Sequence, residues 1–209
     1  MKRTWLVASI VGGVLALGVA LGRPDRPAVA EEGGAAEFTG PGACRKCHFK
    51  HQKSWKDTKH AKALDILKAG ERAEAKTAAN LDPQKDYTKD AACLACHTTG
   101  YGQPGGFPEL KDAWDEAETK RAKEHGGVGC ESCHGPGSLY GPYKADNEQY
   151  KREEIAKLGM KVPVTAESCT GCHKAEGNPT AGTDYVFDFE KAKTDAAAIH
   201  EHVALQHPH

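Results

Sequence analysis

Apolar residues are spread unevenly along this chain of 209 residues. The first block is a continuous run over 6–21 of Leu, Val, Ala, Ile and Gly with a single Ser, preceded by Lys2 and Arg3. Beyond residue 30 the apolar positions thin out into short stretches. Residues 51–69 carry Trp55, Leu64 and Leu67 and predict a helix that stops at Gly70, with 71–79 as an extension. Residues 110–125 predict a second helix, closed by Gly126 and Gly127. Residues 147–158 are acidic early and end with Lys157 before Gly159, the charge order that a helix dipole favours. Ala-rich 189–206 predicts a last helix. Alternation of period two is weak throughout, so a mostly α chain is expected. Two glycine-rich loops, 98–107 and 134–138, offer backbone with little side-chain bulk.

The leading apolar run is short for a membrane span, which needs about 20 residues. Its basic start and the small-residue site Ala28-Val29-Ala30 read as an export signal over 1–30, cleaved ahead of Glu31. Residues 31–209 then form one domain. Arg23, Asp25 and Arg26 sit in an unusual place for a cleaved signal, so a retained membrane anchor is the alternative. No cysteine stands at the cleavage position, which argues against a lipoprotein. Both readings place the globular part in the periplasm or on an extracytoplasmic membrane face.

Composition sharpens the picture. Only 21 of residues 31–209 are Leu, Ile, Val or Phe. A fraction that low normally marks a disordered chain. The cysteines resolve the contradiction. All eight fall in four copies of Cys-x-x-Cys-His: Cys44 and Cys47 before His48, Cys93 and Cys96 before His97, Cys130 and Cys133 before His134, Cys169 and Cys172 before His173. This is the attachment signature of c-type haem. The thiols bind the porphyrin, and the adjacent histidine becomes a ligand of the iron. Zinc ribbons use cysteine pairs but give no reason for a histidine after every pair. A redox-active pair would occur once. Four covalently bound haem c groups therefore replace the missing apolar core, and the haem-free chain is not expected to fold. The motif steps of 49, 37 and 39 residues rule out a regular solenoid.

The second axial ligand decides whether each iron is closed for electron transfer or open to a small molecule. Met160 is the one methionine after residue 30, so histidine ligation and low potentials are expected. The candidates are His51, His60, His125, His200, His202, His207 and His209. His60, beside small Ala61 and Ala63, and His200, on the predicted last helix, are the strongest. His51 is too close to His48 to serve the same haem but could reach a neighbour.

Residues 31–209 carry 24 Lys and Arg against 28 Asp and Glu. Haem propionates and ferric charges bring the balance to about −8. Against this, Lys46, Lys50, Lys53, Lys56, Lys59 and Lys62 surround the first motif, either as a solvated helix face or as a docking site for an acidic partner. Nothing suggests a nucleic-acid partner.

The strings Ser54-Trp-Lys-Asp-Thr-Lys-His60-Ala-Lys-Ala, Leu81-Asp-Pro-Gln-Lys-Asp-Tyr87, Gly127-Val-Gly-Cys-Glu-Ser-Cys-His-Gly-Pro-Gly137 and Ile199-His-Glu-His202 go beyond the haem motif. With them, residues 38–205 resemble the tetrahaem cytochrome c-554 family. The resemblance implies a small, mostly helical fold wrapped around haems stacked in pairs. It implies His60 as distal ligand of the third motif's haem, His200 as that of the fourth, and a five-coordinate iron on His97. It implies electron carriage in the periplasm and a link to nitrogen metabolism. The implied donor is a hydroxylamine oxidoreductase-like enzyme, and the implied acceptor a cytochrome or quinone reductase. Two departures stand out. The family places a distal histidine for the first haem about ten residues after the third motif. Here Tyr140-Gly-Pro-Tyr-Lys144 holds none, which leaves His125 or His51 for that iron, or an open site. The stretch 174–186 is also shorter than the family loop that approaches the open haem.

The reading is thus an exported electron carrier. Its rivals are a reductase of nitric oxide or a related nitrogen compound at an open iron, and a docking module of a larger haem complex. Tyr140, Tyr143 and Lys144 are the candidate polar groups for such an enzyme.

Overall fold

The computed structural model describes residues 34–147, 149–182 and 184–205. The predicted export signal, His207 and His209 lie outside the described residues. Ten short α-helices appear among the described residues: α1 (Pro41–Arg45), α2 (Phe49–Trp55), α3 (Ala73–Ala78), α4 (Ala91–His97), α5 (Glu116–Glu124), α6 (Cys130–His134), α7 (Tyr140–Asp146), α8 (Arg152–Lys157), α9 (Glu167–Thr170) and α10 (Phe189–Ala192). Extended pairing among the described residues is limited to one antiparallel bridge between Thr98 and Gly126. The mostly α expectation holds.

The predicted helix over 51–69 is broken. α2 ends at Trp55, where the buried Thr58 hydroxyl donates to the Trp55 carbonyl at 2.7 Å and accepts the Ala61 amide proton at 3.2 Å. A threonine hydroxyl that takes up helix backbone groups ends the helix locally. The chain then runs through turns to a 3₁₀ turn at Asp65–Leu67. The second predicted helix starts late, at Glu116, because Asp115 and Glu118 form a reciprocal capping box. The third starts at Arg152, where Glu154 accepts the Lys151 amide proton at 2.9 Å.

The last predicted helix differs most. α10 is capped by Asp188, which accepts the Lys191 amide proton at 3.0 Å, and ends at Ala192. Turns follow, then a strap without regular structure over 200–205. Tertiary bonds hold this region: the Ala197 carbonyl accepts from the Lys59 amide at 3.3 Å, and the Glu201 amide donates to Ser54 Oγ at 3.0 Å. They override the modest helix preference of the alanines. His200 therefore lies on the strap rather than on a helix, and its ring is 5.6 Å from that of His202.

The protein core is small, as the composition requires. One cluster joins Leu67, Tyr87, Leu94 and Phe107; a second joins Tyr140, Ile155 and Met160 between α7 and α8. The loop 98–107 closes the first cluster. Its Gly105 has φ of +76° and lies so close to the Phe38 carbonyl that a Cβ would overlap it. That glycine is needed for chain packing onto the Phe38 segment.

Candidate haem centre

Each motif sits at a helical turn. Cys44 lies in α1 with His48 at the start of α2, the second motif closes α4, the third is α6, and Cys169 lies in α9. Helical spacing of i, i+3 and i+4 puts both sulfurs and the imidazole on one side of the turn. That is the arrangement that a porphyrin needs to be held at two thioethers with its iron above the histidine. Each thiol would add S–H across a vinyl double bond, the sulfur and the proton going to its two carbons.

The motifs are brought together across the sequence. α1 packs on α6 and α6 on α9. The Cys44 thiol hydrogen-bonds the Cys130 sulfur, which raises the pKa of Cys44 and lowers that of Cys130. Burial, with Cys169 beside it, pushes the Cys133 thiol up to about 11. Burial, with a hydrogen bond to Cys96, pushes Cys172 up to about 12. Sulfurs therefore touch or influence each other in the order first motif, third, fourth, second.

Two motif histidines show how the imidazole is held. His97 Nδ1 is 2.7 Å from the Ala63 carbonyl, which fixes the proton on Nδ1 and leaves Nε2 for a metal. His173 Nδ1 is 3.4 Å from the Tyr185 hydroxyl, and Phe187 stacks on the same ring at 4.7 Å.

The other histidines fall into three places. The His60 ring is edge-on to His173 with centroids 5.8 Å apart, and the Ala198 carbonyl accepts from His60. Burial, then His173, lowers the His60 pKa and keeps its imidazole neutral, as a ligand must be. Two imidazoles sharing a metal at about 2 Å bonds stand roughly 6 Å apart between ring centres, so this pair fits a haem iron. His51 is 5.5 Å from His48 and 5.2 Å from His200, ring to ring, and bonds the Val203 carbonyl. The strap thus delivers His200 and His202 to the first motif's end of the molecule. The resemblance assigns His60 to the third motif and His200 to the fourth; in the structure their neighbours are His173 and His51.

His125 behaves differently. It is 2% exposed in the haem-free chain, edge-on to Phe38 at 6.4 Å, with Nδ1 buried and unbonded. His125 packs beside the segment entering the first motif, its Nε2 3.5 Å from where a Cβ on Gly40 would stand.

Sequence reasoning missed Glu131, between the two cysteines of the third motif. Its buried carboxylate accepts from the amides of Thr39 (2.9 Å), Gly40 (2.8 Å) and Gly137 (2.8 Å) and from the Thr39 hydroxyl (3.1 Å). It ties the segment entering the first motif to the loop leaving the third. A position that the haem motif leaves variable gave no signal of this.

Comparison with known proteins agrees with this geometry. Residues 43–135 match the family model described as cytochrome c554 and c-prime. Cytochrome c-554 of Nitrosomonas europaea is 36% identical over 193 residues, covering 82% of this chain and 78% of that protein. The chain belongs to the cytochrome c554 family. The solved reduced state of cytochrome c554 from Nitrosomonas europaea superposes with a TM-score of 0.69 at 35% identity, covering 83% of this chain and 89% of that one. Membership accounts for covalent haem at the cysteine motifs, for electron carriage and for a periplasmic place of work. Lys144 stands where the resemblance expects a distal histidine; it is half-buried on α7 with its amine 5.3 Å from the Tyr150 ring centre.

Proposed function

We propose that this cytochrome c554 family protein carries four haem c groups, one on each motif, and passes single electrons along them in the order first, third, fourth, second. The observation that carries this reading is the succession of neighbouring motifs: α1 packs on α6 and α6 on α9, Cys44 hydrogen-bonds Cys130, Cys169 acts electrostatically on Cys133, and Cys172 hydrogen-bonds Cys96. Haems tethered at neighbouring sulfurs stand close enough to exchange electrons. Each haem supplies a reversible ferric–ferrous couple, and the chain's residues set its ligands, its burial and its contacts.

His48, His97, His134 and His173 are the proximal ligands. We assign His60 as the second ligand of the fourth haem, supported by its distance from His173, and His200 as that of the first, supported by its place beside His51. The described histidines outside the motifs lie at the first motif (His51, His200, His202), at the fourth (His60) or within packed protein (His125). The haem on His97 is accordingly read as five-coordinate.

The partners are redox proteins that meet the molecule at its charged faces. Lys46, Lys50, Lys53, Lys56, Lys59 and Lys62 are all exposed, as is Cys47 of the first motif. Phe49 adds an exposed apolar side chain there, with Arg45 over its ring. An acidic donor would be steered to this face and deliver electrons to the first haem. A hydroxylamine oxidoreductase-like enzyme is the donor class that the family suggests.

A reductive titration of the purified exported protein, with a haem count by pyridine haemochrome, tests the reading. Four haems and uptake of four electrons per chain are expected. Fewer than four of either would overturn it.

A further inference from the structure

We propose that the Tyr185 hydroxyl is the acceptor that orients the proximal His173 imidazole and tunes the reduction potential of the fourth haem. The inference rests on His173 being that haem's proximal ligand.

A ligating imidazole has one nitrogen on the metal and one N–H left over. The partner of that N–H decides the ring's orientation and how much electron density the ring passes to the metal. The two motif histidines whose partners are described above differ. His97 faces the main-chain carbonyl of Ala63 at 2.7 Å, a short bond that a side-chain substitution cannot remove. His173 faces a phenol oxygen at 3.4 Å, a longer contact to a weaker acceptor. The phenol is delivered by a turn in which the Tyr185 amide donates to the Gly182 carbonyl at 3.0 Å. Two residues on, Phe187 stacks on the face of the same imidazole at 24° between planes. His60 approaches it edge-on. The segment 185–187 thus holds His173 at its Nδ1 edge and along one face. Hydroxyl acceptance and ring stacking are separable, because they come from different side chains.

The sign follows from charge. Accepting the Nδ1 proton makes the imidazole more electron-rich and favours the ferric state. A weak acceptor gives less of this than a carbonyl does, so the His173 haem should lie above the His97 haem as far as this contact is concerned. Removing the hydroxyl should raise its potential further.

The test is spectroelectrochemistry of the exported holoprotein, unsubstituted and as Tyr185→Phe and Phe187→Leu. Tyr185→Phe keeps the ring and loses the acceptor. One of four reduction steps is expected to move to higher potential, with the haem count, the spin states and the other three steps unchanged. Phe187→Leu keeps the acceptor and measures the separate contribution of the stacked ring to that step. Four steps with none moved by Tyr185→Phe overturn the inference and leave the tetrahaem reading intact. Fewer than four steps in the unsubstituted protein overturn both. If Tyr185→Phe fails to load its haem, proton NMR of the unsubstituted ferric protein decides. A slowly exchanging Nδ1 proton with a cross-peak to the Tyr185 ring supports the proposal, and rapid exchange overturns it.

Discussion

Glu131 accepts the amide proton of Gly40 at 2.8 Å, across 91 residues of chain, from a position inside the third motif. The bond joins the residue just ahead of α1 to the helix that carries Cys130 and Cys133. Glu131→Ala would leave the Thr39, Gly40 and Gly137 amides without their acceptor in a buried place. Each such group costs about 1–3 kcal/mol. A loss of about 3 kcal/mol or more in holoprotein stability is expected by denaturant titration. A change under about 1 kcal/mol would mean that water or another group replaces the carboxylate.

His60→Ala should leave one iron without its second imidazole. Electron paramagnetic resonance should show one additional high-spin ferric haem, and carbon monoxide should bind one more ferrous haem. His200→Ala should do the same at a different haem. The assignment of His200 to the first haem has its own check. In a protein lacking that haem through Cys44→Ser and Cys47→Ser, His200→Ala should add no further high-spin signal.

Lys53, Lys56 and Lys59 share an exposed basic stretch next to the first motif. Changing all three to Glu should slow reduction by an acidic donor by tenfold or more at low salt. It should also flatten or reverse the dependence of the rate on ionic strength, since steering acts within about 10 Å at 0.1 M salt. Stopped-flow kinetics would settle this; an unchanged rate and salt slope would remove the face from the docking surface.

Burial lowers the His125 pKa below its usual value, against the opposing pull of Glu131 and Glu124 and with help from Arg121. The unfolded chain binds a proton near pH 6.5, where the folded one still resists it. The neutral imidazole's contribution is therefore whole above about pH 6.5 and is lost as pH falls through the lower folded value. Stability should drop between pH 7 and pH 5, and His125→Leu should make that part of the profile shallower. Thermal melts across this range would show it.

Leu94 and Ile155 are fully buried, but each sits in a small cluster. A chain with all eight cysteines changed to Ser, and so without haem, should show no cooperative unfolding transition by circular dichroism. A sharp transition would show that the protein core suffices.

Much of this was legible in the residues. The four motifs predicted haem and, with the low apolar content, predicted a core made by the cofactor. The Asp115–Glu118 box is a sequence signature for a helix start, and α5 begins there. The failures share a cause. Residues 56–69 and 193–205 have helix-forming compositions, but Thr58 and the bonds from Ser54 to Glu201 and from Lys59 to Ala197 draw them away from helix. Those bonds join positions about 140 residues apart and leave no periodic trace. His125 resembles a ligand by residue type, and its packing against Phe38 and the Gly40 segment leaves no trace in the sequence. Glu131 and Tyr185 occupy positions with no motif of their own, and distance alone reveals what they hold.

The strap has a consequence for biogenesis. His200 lies near the end of the chain and Cys44 near its start, so on the proposed assignment the first haem to be tethered is the last to acquire its full coordination. Until residues 200–205 cross the membrane and dock against Ser54, that iron stays open to reductants and small ligands. Loss of the final ten residues should therefore yield a protein with every haem attached and its first site unsealed: a maturation defect that a haem stain would miss and a ligand-binding spectrum would reveal.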